Sequence, residues 1–124
     1  MMEILILLLL LQVKHCYADF FLQTYMQTVK KGVWLDPIGI SHTTEHMYCS
    51  LAAMFVFGLF VPISATAMIL AVIVEGVVHY LVDYSKVKYG CKDNTTPAYW
   101  RQFGFDQLLH QVTYILMAWY LLVA

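Results

Sequence analysis

The chain has 124 residues, of which 61% are hydrophobic and 12% charged, with a net charge of −1. Soluble domains run at roughly 45–50% apolar and about 25% charged, so this composition points to a single membrane-embedded domain and excludes a disordered segment. With only seven Lys and Arg against eight acids, a polybasic nucleic-acid binder is excluded too, because neutralising phosphates takes clustered cations.

A bilayer core about 30 Å thick takes roughly 20 helical residues. The first expected span covers about 2–26: Met2 to Leu11 is apolar, and then Gln12, Lys14, His15, Asp19 and Gln23 interrupt. A signal peptide ending at Cys16-Tyr17-Ala18 is the alternative. Against it, Glu3 is the only charge before the apolar run, and cleavage would remove His15. The second span is expected over 42–61, ending at Pro62, with Ser41 as its cap. The third, 63–85, follows after a tight turn, so the two form an antiparallel hairpin; the fourth covers 104–124. The fold class is therefore all-α, an integral membrane four-helix bundle with short loops. Lys30 and Lys31 lie in the first loop, and Lys86, Lys88, Lys92 and Arg101 in the third. Basic residues in short loops face the cytoplasm, which places these two loops inside and both termini outside. Trp34, Tyr99 and Trp100 then mark one interface, Trp119 and Tyr120 the other. The sequon Asn94-Thr95-Thr96 falls in a cytosolic loop and never meets the glycosylation machinery.

All five histidines stand four residues from another histidine or an aspartate: His15/Asp19, His42/His46, His79/Asp83 and Asp106/His110. On a helix such pairs share one face, and each expected span supplies one pair. With the first and third loops on one side, all four pairs fall at one depth, near the cytoplasmic mouth. Ionisable groups in a bilayer cost several kcal/mol each unless paired, hydrated or metal-bound. Five imidazoles and three carboxylates suit one or two divalent ions: zinc first, manganese or iron as alternatives. A lone intramembrane histidine is more often a hydrogen-bonded packing residue, but four pairs at one depth point to a shared metal or proton-handling site.

Around this set, Glu75 continues the His79/Asp83 stripe and is a candidate general base, with a helix-packing hydrogen bond as the plain alternative. Lys86 lies three residues past Asp83 and is a candidate for pairing with a phosphate and stabilising negative charge, although snorkelling is the commoner fate of such a lysine; Lys30 and Lys31 have the same choice. Gln23 and Gln107 are candidates for orienting ligands or substrate. Glu45 is expected to point elsewhere, and Cys49 to be a buried small side chain. The three cysteines form no CxxC and are odd in number, which speaks against a disulfide or zinc-knuckle scaffold. No GxSxG, glycine-rich phosphate loop or HExxH appears.

Through His15-x3-Asp19-Phe20-x2-Gln23, the His42/His46 pair, His79-x3-Asp83-x2-Lys86 and Asp106-Gln107-x2-His110, nearly the whole chain resembles a family of small bacterial and phage membrane proteins, domain of unknown function 3307. That family is similar in turn to inner-membrane metal-dependent hydrolases. The resemblance implies a multi-pass protein of the bacterial plasma membrane. The first expectation is thus a metal-dependent hydrolase acting on a phosphoester or acyl bond of an amphiphilic or lipid-linked phosphate substrate at the cytoplasmic interface. The second is a metal or proton transporter, disfavoured because the outer halves of the second and fourth spans are apolar. The third is a structural metal that staples a partner-binding bundle. Association into a homo-oligomer through lipid-facing surface is compatible with the sequence, but no small-xxx-small motif fixes an interface.

Overall fold

The computed structural model describes residues 1–124 and is helical throughout, with no strand. Helix α1 (Met2–Tyr17) continues into a π turn over Ala18–Leu22; α2 is Tyr25–Lys30, α3 Pro37–Gly58, α4 Ala65–Tyr89 and α5 Pro97–Val123. α1 packs on α3 and α5, and α4 packs on the same two helices, which closes a four-helix ring; short α2 lies against α3.

Element boundaries differ from the expectation wherever a cap, rather than apolarity, sets them. The first helix does not reach Met26. Gln23 and Thr24 are extended, and Thr24 opens α2 with a capping box: Gln27 N–H donates to Thr24 Oγ1 at 3.3 Å and Thr24 N–H donates to Gln27 Oε1 at 2.8 Å. Helix α3 starts at Pro37 and not at residue 42, because Asp36 Oδ1 accepts from Ile38 N–H at 2.9 Å and proline suits the first helical position. Ser41 is therefore no cap; inside the helix its hydroxyl donates to the Ile38 carbonyl at 2.7 Å and accepts from Gln27 Nε2. Helix α5 likewise starts ahead of residue 104, with Thr96 as cap and Pro97 first. In the preceding loop, hydrogen bonds from the Thr95 side chain and backbone hold the Asp93 carboxyl below the usual carboxylate range.

Two stretches are long and apolar enough to cross a membrane, Met2–Leu22 and Ala65–Tyr89. The other two long helices, α3 and α5 with 22 and 27 residues, carry polar runs in their first halves. The bundle has two interiors. Towards the α3–α4 turn, Leu7, Leu11, Ala53, Met54, Phe57, Ala67, Ala71, Val72, Met117, Ala118 and Leu121 form a dry cluster. Towards the other end the buried side chains are polar, and they equal the buried apolar ones in number.

Two close approaches hold the loops onto the polar end. A β-carbon on Gly39 would stand 2.9 Å from the Lys30 carbonyl oxygen, so only glycine lets α3 start so near the end of α2. Leu35 takes a left-handed φ of 54°, and its N–H donates to Tyr80 Oη at 2.7 Å, tying the first loop to α4.

Candidate metal centre

All eight residues expected from the spacing come to one layer. Helix α1 and its π turn supply His15 and Asp19, α3 supplies His42 and His46, α4 His79 and Asp83, and α5 Asp106 and His110. The four-residue spacing keeps each pair on one helix face. The imidazoles crowd together across the bundle, with ring centroids 3.9 Å apart for His46–His79, 4.2 Å for the stacked His79–His110 and 4.7 Å for the edge-to-face His42–His46.

Every histidine turns its Nε2 towards a carboxylate. Asp19 Oδ1 lies 2.9 Å from His46 Nε2 and 3.2 Å from His42 Nε2, while Asp19 Oδ2 lies 3.2 Å from His15 Nε2. Asp83 Oδ2 lies 3.2 Å from His79 Nε2 and 3.5 Å from His42 Nε2, and Asp83 Oδ1 is 3.4 Å from His110 Nε2. His110 Nε2 also stands 3.3 Å from Asp106 Oδ1.

These contacts resolve into two donor groups of the type that holds a cation. One is Asp19, His42, His46 and His79; the other is His79, Asp83 and His110, and within each group the ligand atoms lie within 4.8 Å of one another. Six of the eight residues are thus in ligating positions. His15 and Asp106 stand beside them: His15 braces Asp19, and Asp106 braces His110. A buried oxygen of Asp106, Oδ1, accepts no directed hydrogen bond, whereas Asp83 Oδ2 already faces the Lys31 ammonium at 2.8 Å. Nitrogen and carboxylate donors of this kind suit zinc, manganese or iron.

The remaining groups fix these ligands. His15 Nδ1 shares a 2.8 Å hydrogen bond with Tyr114 Oη, and its Nε2 lies 3.1 Å from Gln107 Oε1. Gln107 therefore orients a histidine, as its position suggested, whereas Gln23 donates to the Asp19 carbonyl at 3.2 Å rather than into the layer. Glu75 is fully enclosed and paired with Lys14, whose Nζ also lies 3.4 Å from His46 Nδ1 and 4.5 Å from the centre of the Tyr114 ring. Lys86 does not snorkel away: its Nζ meets Asp106 Oδ2 at 2.7 Å. Lys31 from the first loop is buried, with Nζ 2.8 Å from Asp83 Oδ2. Glu45 faces away from the layer and accepts from Gln27 at 2.9 Å; Cys49 is half-buried and free.

Lys14 and Tyr114 are the members the sequence did not single out, and the pairing of Lys31 with Asp83 was not foreseen either. Lys14 precedes His15 and reads as an interruption of an apolar helix, Lys31 reads as loop charge, and Tyr114 reads as core. The i,i+4 spacing of Tyr114 from His110 was the available signal.

No characterised protein and no solved structure matches the chain. Residues 4–124 match the family described as protein of unknown function (DUF3307), and the chain belongs to that family.

Proposed function

We propose that the chain is a membrane-embedded metal-dependent hydrolase whose site opens at headgroup level on the cytoplasmic side. The observation that carries this reading is the setting of Asp19. Asp83 and Asp106 each have a lysine and Glu75 has Lys14, whereas Asp19 faces the Nε2 atoms of three histidines within 3.2 Å and no lysine ammonium. A carboxylate so placed has no directly paired cation, and an ion held with His42, His46 and His79 would supply one.

The outward faces support the membrane half of the reading. Leu5, Leu9 and Val13 on α1, Ile69, Ile73 and Val77 on α4, and Leu108, Val112 and Leu116 on α5 are exposed. Soluble monomers rarely leave contiguous apolar patches above a few hundred Å². Lys92 shares one end of the bundle with the first loop, in line with two basic loops facing the cytoplasm.

A divalent ion in this layer supplies an activated water and a Lewis acid for hydrolysis of a phosphoester or acyl bond. In the net reaction the water oxygen joins the phosphorus or acyl carbon, the ester bond breaks, and a proton from the water ends on the leaving alcohol. The chain's own residues divide the remaining work. His15, held by Tyr114 and Gln107, keeps Asp19 in place; Lys31 and Lys86 fix Asp83 and Asp106 and present ammonium charge where an oxyanion develops. Glu75, enclosed and bound to Lys14, suits positioning of His46 better than proton abstraction from a substrate.

The test is elemental analysis of detergent-purified protein beside His79→Ala, since His79 belongs to both donor groups. One or two equivalents of zinc, manganese or iron in the wild type, lost from a folded variant, together with metal-dependent ester hydrolysis, is the expected result. A folded wild type that retains no added zinc sinks the hydrolase.

One observation favours a second reading, a proton-handling station. An ammonium only donates, so Lys14 at 3.4 Å from His46 Nδ1 places the His46 proton on Nε2, where it bonds to Asp19 without any ion. The same elemental analysis separates the two.

A further inference from the structure

Directly over the layer, the first loop and the α4–α5 loop enclose a cleft of about 390 Å³. Three lysines line it, Lys31, Lys86 and Lys92, with Gln23, Thr28 and Gln102 among the polar groups, and no carboxylate is in its wall. Two of these lysines reach down to the layer: Lys31 Nζ to Asp83 Oδ2 at 2.8 Å, and Lys86 Nζ to Asp106 Oδ2 at 2.7 Å. Lys92 is exposed and makes no ion pair. A second, mostly apolar groove of about 500 Å³ runs between α4 and α5 past Leu81, Phe105 and Leu109, and shares Lys86 and Gln102 with the cleft.

The charges select a ligand. By formal charge Lys31, Lys86 and Lys92 offset Asp19, Asp83 and Asp106 while the histidines are neutral, but only Lys31 and Lys86 touch one of these carboxylates. One divalent ion in the layer would then leave two positive charges in excess. A dianionic group restores neutrality, whereas an uncharged acyl ester does not. Ammonium groups at three points of a small cleft are a common means of holding phosphate oxygens.

We propose that the cleft binds a phosphate monoester, and that the groove beside it takes the apolar chain of the same molecule, so that the substrate class is a phosphorylated amphiphile. This rests on the metal reading above. The proposal narrows the scissile bond to a phosphoester and gives Lys92 a part that contact with the layer does not require.

The experiment is calorimetric titration of the full chain in detergent, with metal content measured on every sample. The probes are inorganic phosphate, dihexanoylphosphatidic acid and, as a phosphodiester control, dihexanoylphosphatidylcholine. The phosphatidic acid should bind to the metal-loaded protein, and the choline lipid should not. Lys92→Gln should weaken binding about three- to tenfold without loss of metal, Lys92→Arg should restore it, and Lys86→Gln should weaken it about tenfold or more. Tighter binding of the lipid than of inorganic phosphate places the chain in the groove; equal binding supports the phosphate site and removes the groove from the proposal. Metal-loaded protein that binds neither phosphate probe, or binds them unchanged in both lysine variants, overturns the proposal and leaves the metal reading standing. Protein that never holds metal and binds no phosphate overturns both.

Discussion

At the α3–α4 turn end of the bundle, the helices meet through Leu7, Leu11, Met54, Phe57 and Leu121, with Ala53, Ala67, Ala71 and Ala118 letting backbones come close. A few turns along the same four helices, the interior holds five imidazoles, paired carboxylates and two buried lysines. Packing holds the first region, and its members are interchangeable within limits of volume. The second is held by partner identity, because a buried charge left alone is expensive and a matched pair is close to neutral. Tyr114 is the seam: its ring belongs to the apolar cluster, and its hydroxyl bonds His15 in the layer.

The sharpest break of this contrast is Glu75→Ala. It strands Lys14 in the interior and should destabilise by about 3–5 kcal/mol, read from chemical unfolding in detergent. The double substitution Lys14→Met/Glu75→Leu should return most of that stability, which a purely packing-based interior does not predict. In the dry region, Met54→Ala should cost about 3 kcal/mol by leaving a cavity, while the metal content of the folded protein stays at the wild-type value. At the seam, Tyr114→Phe keeps the ring and removes the His15 partner. About 1 kcal/mol of stability should be lost, with zinc affinity down about tenfold by competition against a chelating dye. Smallest, Leu35→Gly relieves the left-handed backbone and should raise the melting temperature by a stability gain of no more than about 1 kcal/mol. A drop instead would mean that the Leu35 side chain holds the first loop in place.

The layer was legible because helical periodicity does not depend on where a helix starts. His79 and Asp83 share a face whether α4 begins at residue 63 or at Ala65. Helix starts were less legible when sought by apolarity. Asp36-Pro37 and Thr24-x-x-Gln27 carry turn chemistry, and they moved one helix start upstream and broke another helix in two. The lysines were hidden for a different reason. Lys14 finds Glu75 across 61 positions of sequence, and Lys31 reaches back from a loop to Asp83, so neither partner is visible in local spacing. A long side chain erases the link between where a residue sits and where its charge acts.

His79 is the one residue that stands in both of the groups that could hold a cation. Its Nε2 has a single lone pair, so an ion beside Asp19 and an ion beside Asp83 contend for the same nitrogen. The layer would in effect be two berths with one mooring between them: filling either would loosen the other, and a zinc titration should saturate in two unequal steps.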